Sequence, residues 1–172
     1  QKIHSTFKNV SSQEVSGVDF SANYNHSLDD LGLLKFNLEW SYQDKFEKDG
    51  RDYTGEYGYP EHRWMFSTNW ELGEFNTNVN ISYVGEFEDT PDIDFDGTLD
   101  FDSNTSRMVD SQVLVDLQTA YRITESTKIS IGVNNLFDEE PPFAIGDGDG
   151  DLYGYASAVH NPRGRYLYTK VS

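Results

Sequence analysis

The segment Phe75-Asn76-Thr77-Asn78-Val79-Asn80-Ile81-Ser82-Tyr83-Val84-Gly85-Glu86-Phe87 decides how the chain is read. Phe75, Thr77, Val79, Ile81, Tyr83 and Phe87 fall on one face of a period-two pattern, and Asn76, Asn78, Asn80, Ser82 and Glu86 fall on the other. Successive side chains of an extended strand point to opposite faces, so the segment predicts a strand with one apolar and one polar side.

The same alternation recurs outward in both directions. Leu34, Phe36, Leu38, Trp40 and Tyr42 alternate with Lys35, Asn37, Glu39, Ser41 and Gln43; Trp64, Phe66, Thr68, Trp70 and Leu72 alternate with Arg63, Met65, Ser67, Asn69 and Glu71. Val113 to Arg122 and Lys128 to Asn134 repeat it, a weaker strand covers about Val18 to Leu28, and a last one covers about Gly164 to Ser172. Residues 2–8 read as the end of an eighth. Apolar spacing of three and four is never sustained, so helix is expected to be nearly absent.

Tight turns at Asp29 to Leu33, Leu72 to Glu74 and Ile123 to Ser126 alternate with long polar loops at about Glu47 to Glu61, Glu88 to Asp110 and Asp138 to Arg163. Long two-faced strands, Trp and Tyr near the strand ends (Trp40, Tyr42, Trp64, Trp70, Tyr83, Tyr121) and one short-turned end describe an all-β, antiparallel transmembrane β-barrel segment with periplasmic turns and extracellular loops. Open edges are costly in lipid, so further strands are expected from outside these residues. The competing fold is a soluble, secreted β-sandwich binding carbohydrate or Ca²⁺, in which the apolar faces would meet in a core.

Composition narrows the function classes. The 172 residues carry 30 Asp+Glu against 13 Lys+Arg, a formal net charge of −17, which argues against nucleic acid because phosphate binding needs basic patches. No apolar run reaches the ~18 residues of a spanning helix. The absence of cysteine removes disulfides, thiol catalysis and thiolate metal sites. The opening Gln1-Lys2-Ile3 carries neither an initiator Met nor a leader, and the chain is expected to begin inside a longer protein.

Two motifs sharpen this. Ile131-Gly132-Val133-Asn134-Asn135-Leu136-Phe137-Asp138-Glu139-Glu140-Pro141-Pro142-Phe143 precedes Asn161-Pro162-Arg163-Gly164-Arg165-Tyr166-Leu167-Tyr168. Together they resemble the end of a TonB-dependent outer-membrane receptor. In that family the penultimate strand ends in Asn-Leu-Phe-Asp (here Asn135, Leu136, Phe137, Asp138), a loop often carrying Pro-Pro follows (Pro141, Pro142), and a Gly-Arg pair (Gly164, Arg165) opens the final strand. The resemblance implies that residues 1–172 are the C-terminal segment of a barrel of about 22 strands, with the plug domain and N-terminal strands absent. It implies a bacterial outer-membrane location and active import of a scarce, bulky nutrient such as a ferric siderophore, cobalamin or an oligosaccharide. Its implied partners are outer-membrane lipid, the protein's own plug, TonB through the missing N-terminal region, and the ligand. The barrel assembly machinery is a further partner: it reads a terminal aromatic that family members carry a few residues beyond Ser172.

A physical reading stands beside this. Asn134, Asn135 and Asp138 can satisfy backbone groups where a strand ends, Leu136 and Phe137 supply apolar rim surface, and Pro141-Pro142 stops pairing. The motif therefore reads as structural rather than ligand-binding.

The loops are acidic. Residues 88–102 hold seven carboxylates and residues 138–151 hold six, with no basic residue in either stretch. Asp92, Asp94, Asp96, Asp100 and Asp102 form either a solvated hairpin around Asp96-Gly97 or a Ca²⁺ site. The EF-hand comparison fails at Ser103, where a bidentate Glu is needed. Asp147-Gly148-Asp149-Gly150-Asp151 reads as a flexible acidic turn. Tyr53, Tyr57 and Tyr59 near Trp64 could stack on a sugar or an aromatic chelator, and loop packing explains them equally well. No cofactor is expected beyond that Ca²⁺. His4, His26, His62 and His160 are scattered, and neither a nucleophile elbow nor a phosphate-cradling loop occurs, so no enzyme activity is expected.

Overall fold

A computed structural model describes residues 12–89, 107–145 and 153–172. The strands are β1 (Gln13–Ser27), β2 (Leu33–Lys48), β3 (Arg51–Asp52), β4 (His62–Leu72), β5 (Phe75–Val84), β6 (Phe87–Asp89), β7 (Arg107–Val109), β8 (Gln112–Thr124), β9 (Thr127–Asn134) and β10 (Tyr166–Val171). Seven of them form one antiparallel meander in the order β1-β2-β4-β5-β8-β9-β10, while β3 pairs with β2 and β6 pairs with β7 as a separate ribbon. The expected eighth strand at residues 2–8 lies outside the described residues.

Register sorts the side chains into the two expected sets. Trp40 pairs with Trp64, Trp64 with Tyr83 and Tyr83 with Val113; two residues lower, Leu38, Phe66, Ile81 and Val115 form the next row. The alternate set places Asn37, Ser67, Asn80 and Asp116 in one row and Lys35, Asn69, Asn78 and Gln118 in another. A one-residue slip on any strand would mix these faces, so the pattern fixes the register.

The short turns follow from local chemistry. Gly32 closes the β1–β2 turn at φ +93°, and a side chain there would run into the Glu71 carbonyl. Trp70 donates its indole Nε1–H to the Leu31 carbonyl at 2.8 Å, tying the β4 end of the sheet to that turn. The Asn69 and Asn76 amides exchange reciprocal hydrogen bonds of 3.1 and 3.0 Å beside the β4–β5 turn.

No second sheet covers the apolar face among the described residues, so the sandwich alternative does not hold. Phe20, Tyr24, Ile131 and Leu167 are 51%, 61%, 61% and 74% exposed. Buried apolar side chains instead gather beyond the long-loop end of the sheet, around Phe87, Val109, Ala144 and Ala156 with Tyr57 and Val159 against them. Exposed apolar area on this scale needs a non-aqueous neighbour. The eleven residues of β4 rise roughly 33 Å at ~3.3 Å each, which a tilt near 40° reduces to about 25 Å, the height of a membrane barrel's apolar band.

Candidate functional site

A change of facing marks where the membrane wall ends. Pairing between β1 and β2 steps from Gly17↔Gln43 to Ser16↔Lys45, which leaves Asp44 as an extra residue on β2. Such a bulge shifts every later side chain to the opposite face. Below it Tyr42 and Trp40 sit on the apolar face; above it Phe46 turns to the other side, and Lys45 and Glu47 take the outer one. Lys45 Nζ there bonds Glu14 at 3.1 Å and Glu47 at 2.8 Å, and these two carboxylates hold its pKa above the usual lysine value.

An equivalent break ends β5. Tyr83 belongs to the outer aromatic row, but the strand stops at Val84 and Gly85 donates its N–H to the His62 carbonyl at 2.8 Å. The expectation that Phe87 continues the apolar strand face is therefore corrected: it opens β6, is fully buried, and lies under the loops. A strand leaving lipid for water must bury its apolar side chains on the opposite side, and these breaks accomplish it.

The loops above this level pack on the polar-face side. Gln112, which shares a face with Asp116 and Gln118, is 2% exposed. It clamps Asn161, donating from Nε2 to the Asn161 carbonyl and accepting the Asn161 N–H at Oε1, both at 3.0 Å. Fully buried Asp89 accepts Arg107 at 3.1 Å and the Ile145 N–H at 2.7 Å, while Arg107 donates to the Phe143 carbonyl at 3.2 Å and lies 4.5 Å over the Phe143 ring. Residues 143–145 are thereby fastened to the β6–β7 ribbon. His160 is 4% exposed, its ring stacks on Phe87 with centroids 5.5 Å apart, and neither ring nitrogen has a hydrogen-bond partner among the described residues.

The three tyrosines separate into two groups. Tyr59 stacks on Phe46 at 4.2 Å, Tyr53 lies 6.2 Å from Tyr59, and the Arg51 guanidinium sits 4.5 Å over the Tyr53 ring while bonding Glu56 at 2.6 Å. Tyr57 turns away and meets Phe87 edge-on at 5.9 Å. Asp52 shapes this loop by accepting both the N–H and the hydroxyl of Thr54, which lowers its pKa. Burial pushes the Glu56 pKa up, against the opposing pull of Arg51. All three tyrosines are partly buried.

The motif residues at the end of β9 converge on one another. Asn135, 4% exposed and at φ +51°, donates from Nδ2 to the carbonyls of Glu139 (2.8 Å) and Arg163 (2.9 Å) and accepts the Glu139 N–H at 2.8 Å. Its own N–H donates to the Asp116 carboxylate at 2.8 Å. Asp138, at φ +60°, accepts the Arg165 N–H at 2.6 Å, with the Arg165 guanidinium 3.8 Å away. Gly164 passes so close to Asp138 that a Cβ would stand 3.0 Å from its carboxylate. Asn and Asp are the side-chain-bearing residues that best tolerate positive φ. Leu136 and Phe137 lie at the rim, Phe137 largely exposed, and Pro141 and Pro142 sit in a stretch without strand pairing.

Asp92, Asp94, Asp96, Asp100 and Asp102 lie outside the described residues, as does the Asp147–Asp151 turn. His62 stacks with Trp40 and Tyr42 on the apolar face, whereas His160 is buried on the opposite side, so the sheet keeps these two histidines apart. Sequence reading passed over Phe46, Arg107, Gln112 and His160. A usable signal was present for Arg107: it is the first base after a base-free acidic stretch and pairs back to Asp89.

A lipid-height apolar face, a polar face roofed at one end by long loops, and short turns at the other define the wall of an outer-membrane transport barrel. The chain belongs to the family described as TonB dependent receptor-like, beta-barrel, whose model matches residues 3–136. It is 26% identical over 147 residues to the vitamin B12 transporter BtuB of Vibrio cholerae serotype O1, covering 83% of this chain and 22% of that one. The chain thus spans about a fifth of the length of the curated relatives it matches. Among solved structures, a ferric enterobactin receptor (PfeA) mutant from Pseudomonas aeruginosa superposes with a TM-score of 0.64 at 21% identity, covering 91% of this chain and 22% of that one. The ferripyoverdine receptor of the same species gives 0.59 at 18% identity, with 88% and 18% covered. Family and relatives place the chain in the outer membrane, and the family is one of transport receptors.

Proposed function

We propose that these residues form the C-terminal part of the barrel of a receptor that imports a scarce, bulky nutrient with energy delivered through TonB. The observation that carries this reading is the loop cluster seated over the polar face: a ligand held by extracellular loops there stands at the mouth of the lumen. In this reading the row Lys35, Asn69, Asn78, Gln118 and its neighbours Asn80, Asp116, Arg63 and Arg122 line the surface against which the plug rests. TonB engages the part of the protein N-terminal to this chain, and the assembly machinery engages its last strand. Ferric siderophores and cobalamin are the first ligand classes to test, because relatives are named for them, and oligosaccharides are the third. The Phe46–Tyr59 stack, with Tyr53 tilted against it, supplies an aromatic surface suited to an aromatic chelator or a sugar face.

The test is uptake by cells expressing the full-length gene, with labelled vitamin B12, ferric enterobactin and a maltooligosaccharide offered in turn. Accumulation of one of them that stops when TonB is deleted supports the reading. Accumulation of any of them that persists without TonB, or failure of all three alongside a working control receptor, overturns it.

A further inference from the structure

His160 presents an unusual balance. It is 4% exposed, and among the described residues both ring nitrogens lack hydrogen-bond partners. A neutral imidazole always carries one N–H, so the ring already leaves a donor unpaired in a dry site, and a second proton would add another donor and a charge. Among the described residues its surroundings offer that charge nothing. From β6 the facing group is the Phe87 ring; from β8, Gln112 is neutral and committed to the adjacent Asn161 on both sides of its amide. From β4 it is Arg63, a like charge. On the same face of β6, Asp89 is taken up by Arg107 and the Ile145 N–H. In the neighbouring loop Tyr57 packs edge-on against Phe87 and Glu56 bonds Arg51.

The segment that carries His160 is tied to the rest of the protein at three places along its length: the Gly154 carbonyl accepts the Ala144 N–H at 3.1 Å, Asn161 is clamped by Gln112, and the Arg163 carbonyl accepts from Asn135 Nδ2 at 2.9 Å. Between the first two, the Val159 and His160 N–H groups donate to the Ala156 carbonyl at 3.1 and 2.8 Å, forming a local turn that presents the His160 ring to Phe87.

We infer that His160 makes the docking of Tyr153–Arg163 over the polar face acid-sensitive: protonation of the ring expels it from its buried place against Phe87 and loosens the segment. Burial, and secondarily Arg63, lower the pKa of the docked ring. The sign follows from that direction. Docking is complete above the ordinary histidine value near 6.5, where the ring is neutral in both states. It weakens as pH falls below that value, because the undocked ring takes the proton first. The consequence goes beyond import itself: the Tyr153–Arg163 segment becomes a pH-dependent cover at the lumen mouth, whatever ligand is carried.

Hydrogen–deuterium exchange on the full-length receptor in detergent tests this, with protection in peptides covering 153–163 corrected for intrinsic exchange. In the parent protein protection should fall roughly three- to tenfold between pH 7.5 and pH 5, while peptides from β8 stay unchanged. His160→Leu should abolish the pH dependence. Should that variant fail to fold, Arg63→Gln tests the same point, because removing the like charge should shrink the fall. A pH-independent segment in the parent protein, or an equal fall in His160→Leu or Arg63→Gln, overturns the inference.

Discussion

The Asp138 carboxylate accepts the Arg165 backbone N–H at 2.6 Å, joining the end of β9 to the start of β10 across 27 positions. With Asn135, which bonds both Glu139 and Arg163, it closes a long loop at its base, so that the loop can vary above a fixed root. Asn135→Ala strips three hydrogen bonds from a buried site and should cost about 2–3 kcal/mol, whereas Asp138→Ala, at an exposed one, should cost about 1 kcal/mol. Thermal unfolding of the full-length receptor in detergent reads both; an Asn135→Ala protein as stable as its parent contradicts the staple.

Facing in the wall makes a paired prediction. Ile81 belongs to the row of Leu38, Phe66 and Val115, in mid-span, and Asn80 to the row of Asn37, Ser67 and Asp116. Ile81→Arg should cost roughly 2–4 kcal/mol when the barrel is folded into lipid vesicles, and Asn80→Arg much less. Equal losses at the two neighbours would mean that the assigned faces are wrong.

Much of this was legible in the sequence, for a physical reason. Lipid on one side and water on the other impose period-two patterning over the full length of each strand, so β2, β4, β5, β8 and β9 stand out with their two faces. The motif at Asn135 to Asp138 could be read as a strand terminator because Asn and Asp satisfy backbone locally. The patterning fails where the solvent changes. Phe87 keeps the parity of Phe75 to Tyr83 in sequence and loses it in space, because Gly85-Glu86 interrupts the strand. The tyrosines of the Arg51–Tyr59 loop could be named but not sorted, since their grouping depends on Phe46 and Phe87, brought in from two other strands. His160 looked like one more scattered histidine. Its ring packs on Phe87, far away in sequence.

The bulge at Asp44 can be tested by removing it. Inserting one alanine between Ser16 and Gly17 gives Asp44 a partner on β1 and makes β2 regular through this level, turning Phe46 outward and Lys45 with Glu47 inward. The Phe46–Tyr59 stack is then lost, and the Arg51–Tyr59 loop should be cut by protease at least several-fold faster, with the wall itself intact. Phe46→Ala should reproduce most of that susceptibility without changing the register. An insertion variant as resistant as the parent would show that the facing above Tyr42 does not depend on the bulge.

Tyr168 provides the last prediction, on the polar face near the sheet's edge. Its hydroxyl donates to Gln118 Oε1 at 3.0 Å, two strands away, and to reach it the ring crosses directly over Gly132. A Cβ on Gly132 would fall within the ring's own volume, against Cζ, Cε1 and the hydroxyl. Glycine is needed there for the close approach rather than for backbone conformation. Gly132→Ala must therefore displace Tyr168, losing a hydrogen bond and the ring's packing on β9, at about 1–3 kcal/mol. Tyr168→Ala alone gives up the same contacts, so adding Gly132→Ala to it should cost little more. Thermal unfolding of the two single variants and the double variant measures the coupling: losses that simply add would mean that the ring does not lie where this geometry puts it.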